Sequence, residues 1–139
     1  MELKGKKVLV FGAGISGIGS CGLLEREGAE VILYDGKADL DIEKVRGQLG
    51  SDTVQIMTGT FPEELLEKLD LVVISPGVPT DLPVVLRMKE KNIPVWGEIE
   101  LAYVCGKGDI LGITGTNGKT TTTSLLGEIM KNAFESVFV

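Results

Sequence analysis

The sequence predicts an α/β domain built as a doubly wound, parallel five-stranded sheet with helices on both faces. Three observations lead there. Short apolar runs alternate with longer amphipathic stretches, as in successive βα units. The apolar runs are continuous rather than alternating in polarity, which suits strands covered on both faces. The first run ends in a glycine-rich turn that opens a helix.

The predicted strands are KVLVF (7–11), EVILY (30–34), VQIM (54–57), LVVIS (71–75) and IPVW (93–96). Between them the patterns predict helices over about 15–26, 40–49, 62–68 and 82–91. After Trp96 the pattern changes. GEIELAYVCGKG reads as a short helix ending at Gly106, and DILGIT (109–114) as a sixth strand leading into a second glycine loop and a helix after Lys119. Leu125, Leu126, Ile129 and Met130 make an apolar stripe on that helix, expected to be core. The chain therefore divides into a first domain, 1–96, and the start of a second, 97–139.

Composition narrows the function. The 139 residues are enough for one ordinary domain and too few for two complete ones. Fourteen basic and twenty acidic residues give a net charge of −6 without a basic cluster, which argues against nucleic-acid and anionic-membrane partners. The N-terminal apolar run breaks into glycines too early for a signal peptide or a membrane span, so the expected location is cytoplasmic. Cys21 and Cys105 lack metal or redox spacing and read as buried, reduced thiols. With no histidine present, the chemistry must rest on lysine, carboxylates, hydroxyls and backbone amides.

VLVFGAGISGIGS sets Gly12, Gly14 and Gly17 in GxGxxG spacing at a strand-to-helix turn. The first glycine allows the tight turn, the second lets backbone approach phosphate, and the third brings helix and strand together. Amides near Ile15 and Ser16 then face an anion at the helix N-terminus. Asp35, 18 residues after Gly17, ends the next strand, where a carboxylate accepts bonds from ribose hydroxyls. NAD, FAD and a nucleotide sugar all satisfy this pattern, since each sets a diphosphate beside a ribose. SPGVP, Ser75 to Pro79, falls at the carboxyl end of the fourth strand, either as part of a ligand crevice or as a plain turn.

GITGTNGKTTTT (112–123) is a second phosphate loop. The strict GxxxxGK[ST] pattern fails by one position, because Ile113 stands where the first glycine belongs and the glycines fall at 112 and 115. Gly115 and Gly118 still permit amides to cradle phosphate before the helix. In that geometry Lys119 neutralises the β and γ phosphates and the Thr120 hydroxyl ligates Mg²⁺.

GITGTNGKTTTT, with GEIEL before it, SPGVP upstream and VLVFGAGISG at the N-terminus, resembles the Mur ligases of peptidoglycan synthesis. Folylpolyglutamate synthases share the TGTNGKT loop, so the loop marks the superfamily. The N-terminal signature and the SPG turn point to the D-glutamate-adding branch, and the alanine-adding members usually carry His where this chain has Asn117. The resemblance implies a Rossmann-like first domain that holds the UDP part of UDP-N-acetylmuramoyl-L-alanine, with Gly14, Ile15, Ser16, Asp35, Gly36, Lys37, Ser75 and Gly77 as contacts. Many relatives have Thr-Arg where this chain has Gly36-Lys37, which removes a hydroxyl and keeps the cation.

It further implies the first βαβ of a P-loop ATPase domain. Its Gly115, Thr116, Asn117, Gly118, Lys119, Thr120 and Thr121 surround the phosphates of ATP, with Lys119 as the catalytic group and Thr120 on Mg²⁺. ATP activates the substrate carboxylate as an acyl phosphate, which the amine of D-glutamate attacks. The family's remaining metal ligands, a modified lysine and the amino-acid domain fall past residue 139, so the resemblance implies an inactive N-terminal fragment. Its lone βαβ, ending in a strand begun at ESVFV, is expected to pack on the first domain or to associate between copies. The competing reading is a self-standing NAD-binding regulatory module, for which a Gly-Lys-Thr loop has no use.

Overall fold

A computed structural model describes residues 2–139. The chain divides into two compact units, Met1–Gly106 and Lys107–Val139.

The first unit holds five parallel strands: β1 (Lys7–Phe11), β2 (Glu30–Asp35), β3 (Gln55–Thr58), β4 (Leu71–Ile74) and β5 (Val95–Gly97). Their order across the sheet is β3-β2-β1-β4-β5. The helices are α1 (Ile15–Arg26), α2 (Ile42–Leu49), α3 (Pro83–Glu90) and α4 (Glu98–Cys105). Glu63–Glu67 forms a 3-10 turn where an ordinary helix was expected over 62–68. Pro62 supplies no amide, and five residues are too few for a ladder of i to i−4 bonds.

Both faces of the sheet are covered, as the continuous apolar runs required. Side chains alternate along β1, so Val8 and Val10 join Cys21 and Leu24 of α1, Val45 of α2 and Leu101 of α4. Leu9 and Phe11 face the other way, against Leu65 and Leu66 of the 3-10 turn and Val85 and Met88 of α3. On that second face Phe11, Tyr34 and Phe61 stack in series, with ring centroids 4.9 and 5.2 Å apart.

The unit extends past Trp96. α4 was expected in the second domain, yet Leu101 is completely buried in the first unit's core and Trp96 and Cys105 pack against it. Burial pushes the Cys21 thiol up to about 12, with the Glu25 charge adding to the effect, so Cys21 is an inert packing residue. Cys105 is only half-buried, and desolvation and then Glu27 raise its thiol as well.

The amino edge of the sheet is tied by Asp70. Its carboxylate accepts the Lys7 amide at 2.9 Å and the Lys6 ammonium at 3.0 Å. The Lys7 bond first, and then Lys6, hold the carboxyl below its ordinary value of 3.8. A depressed carboxylate stabilises the fold above its unfolded pKa, and that contribution is lost as pH falls through the folded value. In urea titrations from about pH 5 down to about pH 2, Asp70→Asn is expected to flatten part of the acid limb. An unchanged limb would show that Asp70 contributes nothing.

The second unit contains one helix, α5 (Lys119–Lys131), between irregular segments. Residues 109–114 do not form the expected sixth strand, nor do residues 135–139 begin another. A strand needs a neighbour to take its backbone groups, and neither segment of this unit pairs with the other. The tail instead returns to α5, where Val139 lies against Gly127, the one buried residue of that helix. The expected core stripe is not buried: Leu125 and Ile129 are exposed, and Leu126 and Met130 are half-buried. Among the described residues no helix is long and apolar enough to cross a membrane.

Candidate nucleotide site

The strand order reverses at β1. The chain first builds outward through β2 and β3, then returns to place β4 on the other side of β1. Ligands of open α/β sheets bind at the carboxyl edge at such a switch point. The loops that meet there are those after β1 (Gly12–Gly14) and after β4 (Ser75–Pro79).

Packing accounts for the first and third glycines of the motif. Gly12 has φ +107°, and a Cβ there would sit 3.0 Å from Ser75 Cβ and Oγ. A Cβ on Gly17 would sit 1.8 Å from the Gly12 carbonyl oxygen, so α1 and the loop touch backbone to backbone. Gly14 differs. It has an ordinary φ of −78° and open space where a Cβ would lie. Packing does not require glycine there; close approach by a ligand would.

Gly14 is the N-cap of α1 and supplies no side-chain cap, and the first helical bond runs from Ile18 N–H to Gly14 C=O at 3.0 Å. The amides at Ile15 and Ser16 are thus available at the positive end of the helix dipole. Ile15 is 92% exposed beside them, with no core contact to explain an apolar residue there.

Asp35 ends β2 next to this loop. Its Oδ2 accepts the Ala13 amide at 2.9 Å and its Oδ1 accepts the Lys37 amide at 3.0 Å. Gly36 and Lys37 follow on the surface, and Lys37 belongs to none of the ion pairs among the described residues. Ser75 Oγ donates to the Gly12 carbonyl at 3.3 Å, while Gly77 is exposed with open space around its Cα. Gly14, Gly36, Lys37, Ser75 and Gly77 lie in the loops at the carboxyl edge, with Ile15 and Ser16 on the first turn of α1 and Asp35 at the end of β2. The clefts of about 510 and 350 Å³ lie elsewhere, at the amino edge beside Asp70, Pro94 and Lys91, and beside Lys7, Glu30 and Gln55.

Sequence reasoning missed two features of the loop. One is the Ala13 amide, which Asp35 binds; a backbone donor has no side-chain signature. The other is Gly59, whose amide donates to the Asp35 main-chain oxygen at 3.0 Å and whose carbonyl accepts the Tyr34 hydroxyl at 2.7 Å. The glycine itself, which φ +79° favours, is the trace the sequence carries of this turn.

In the second unit, Gly115 (φ +152°) and Gly118 (φ +75°) bend the loop, and Gly118 caps α5 without a side-chain bond. The Lys119 ammonium folds back to donate to the Gly115 carbonyl at 2.6 Å. Residues 114–122, which include Thr116, Asn117, Thr120 and Thr121, are exposed. Among the described residues no three His, Cys, Asp or Glu side chains gather as a metal site.

A family profile described as Mur ligase MurD-like, N-terminal domain, matches residues 6–97. Similar curated proteins include UDP-N-acetylmuramoylalanine–D-glutamate ligases. That of Lachnospira eligens is 58% identical over 139 residues and that of Lachnoclostridium phytofermentans 53% over 140, each covering 100% of this chain and 31% of the relative. The chain thus spans about a third of the length of these relatives. Among solved structures, a pseudomurein peptide ligase type C from Methanothermus fervidus is 26% identical with a TM-score of 0.59, over 91% of this chain and 26% of that one. SirC, a precorrin-2 dehydrogenase, shares the fold alone at 18% identity and a TM-score of 0.52, over 96% of this chain and 69% of that one.

Proposed function

The chain belongs to the MurD-like N-terminal domain family of Mur ligases, and on that premise we propose that its first unit holds the UDP moiety of UDP-N-acetylmuramoyl-L-alanine for a cytoplasmic, ATP-dependent ligase that adds D-glutamate. The observation that carries the reading is Gly14: a glycine that packing leaves free, at the uncapped start of α1, beside amides at Ile15 and Ser16. That arrangement binds a diphosphate through backbone donors, which suits an acidic protein without a basic patch. In this reading Asp35, Gly36 and Lys37 contact the nucleoside, and Ser75 and Gly77 contribute from the loop after β4.

The second unit's residues fit triphosphate. Gly115 and Gly118 open the backbone, the amides of Thr116, Asn117 and the start of α5 are donors, and the Lys119 ammonium already reaches across the loop. The Thr120 and Thr121 hydroxyls stand on the first turn of α5, where Thr120 would ligate Mg²⁺. When bound, ATP supplies the phosphoryl group that activates the substrate carboxylate toward the amine of D-glutamate. Lys119 would hold the charge of the transferring group, so it is the catalytic residue of this half-site.

Ligand-induced stabilisation tests the nucleotide reading. At a hundred times its dissociation constant, a ligand adds about 2.7 kcal/mol. For a domain of this size, that is a rise in Tm on the order of 10–20 °C. UDP-N-acetylmuramoyl-L-alanine is expected to give that shift and, at the same concentration, UDP a smaller one and NAD none. Stabilisation by NAD and not by the uridine compounds would favour the regulatory NAD module instead.

A further inference from the structure

Resting on that nucleotide-site reading, we infer that Asp35 and Ser75 are positioning residues, which clamp the two ends of the Gly12–Ala13 peptide and so aim the amides at the start of α1 at the diphosphate. The peptide unit is planar, so fixing its N–H and its C=O fixes its orientation. Asp35 Oδ2 takes the Ala13 N–H at 2.9 Å, and Ser75 Oγ donates to the Gly12 C=O at 3.3 Å. The first grip comes from the end of β2 and the second from the end of β4, on opposite sides of β1.

The clamp is supported from below and beside. Gly17 presses its Cα against the same Gly12 oxygen, which leaves the carbonyl no room to swing toward the helix. The Gly12 amide donates to Tyr34 C=O at 2.8 Å, and Asp35 is itself anchored through its main-chain oxygen to Gly59 N–H at 3.0 Å. The ends of β2 and β4 thus meet at the Gly12–Ala13 peptide, and the turn after β3 braces Asp35 from behind.

Charge makes the inference decidable. A carboxylate beside a diphosphate site repels the ligand, so removing the charge alone would tighten anion binding. If Asp35 acts by holding the loop, removing the charge instead weakens it. The test is titration of the full 139-residue chain with inorganic pyrophosphate and with UDP, for wild type, Asp35→Asn and Ser75→Ala. It is joined to exchange of the Ala13 amide read by NMR.

Asp35→Asn is expected to weaken both ligands about tenfold and to speed Ala13 exchange about tenfold. Ser75→Ala changes no charge and is expected to weaken both ligands about threefold. Unchanged or tighter pyrophosphate binding by Asp35→Asn, with loss of UDP only, would overturn the clamp and leave Asp35 a nucleoside contact alone. Unchanged Ala13 exchange would overturn it too. If Asp35→Asn does not fold, Ser75→Ala decides by the same readouts. Should wild type bind neither ligand, the nucleotide reading fails, while Ala13 exchange in the variants still decides the clamp.

Discussion

Gly17→Ala is expected to destabilise the first unit by about 3 kcal/mol or more, at the upper end of the cost of overpacking. The added Cβ would meet the Gly12 carbonyl oxygen at 1.8 Å, and that neighbour is backbone rather than the end of a flexible side chain. Relief requires α1 to move off the sheet, and α1 carries Cys21 and Leu24, both fully buried. Intrinsic helix propensity works the other way, since Ala is favoured over Gly by up to about 1 kcal/mol inside a helix. Steric overlap is the larger effect, so the net sign is destabilising. Gly14→Ala is the control: its Cβ meets nothing, and urea unfolding should place it within about 1 kcal/mol of wild type, the cost of alanine in place of glycine at an N-cap. Equal stabilities for the two variants would mean that the loop and α1 are not in backbone contact.

Leu101→Ala is expected to cost about 2–5 kcal/mol, the range for emptying a fully buried leucine site. Leu101 is the single buried residue of α4, and it completes the core formed by α1 and one face of the sheet. The same substitution at Ile99, on the same helix but 80% exposed, should change stability by less than about 0.5 kcal/mol. Denaturant midpoints of the two variants decide whether the folding unit runs through Gly106. A Leu101→Ala variant as stable as wild type would place the boundary near Trp96 after all.

The strands were the legible part of this fold. KVLVF and EVILY are continuous apolar runs bounded by charge and glycine, and only a sheet buried on both faces has a use for them. At the edge the reading slipped. Pro94 supplies no amide but its carbonyl accepts from Val72 at 2.9 Å, so β5 begins at Val95, two residues after the expected start at Ile93. Residues 109–114 carry a strand-like pattern, yet strand formation is decided by a neighbour, which local composition does not contain. The apolar stripe on α5 fails for the same reason: periodicity shows that a face wants cover, not that cover is present.

The site was half legible. GxGxxG and Asp35 were readable because glycine and a strand-end carboxylate leave side-chain signatures. What Asp35 does locally was not, because its partners are the Ala13 and Lys37 amides, and every residue but proline has one. Gly14 shows the opposite case. The motif gives the second glycine the phosphate-facing place, and the structure leaves open space at Gly14 while Gly12 and Gly17 are packed.

Calorimetric titration of wild type and Gly14→Ala with UDP is the most direct test of the claim that this loop receives a uridine diphosphate. Wild type should bind UDP, and Gly14→Ala, still folded, should bind it at least about tenfold more weakly, because the new methyl group occupies the path of the diphosphate. Equal UDP affinity in the two proteins, or binding of NAD in place of UDP by wild type, would contradict the account.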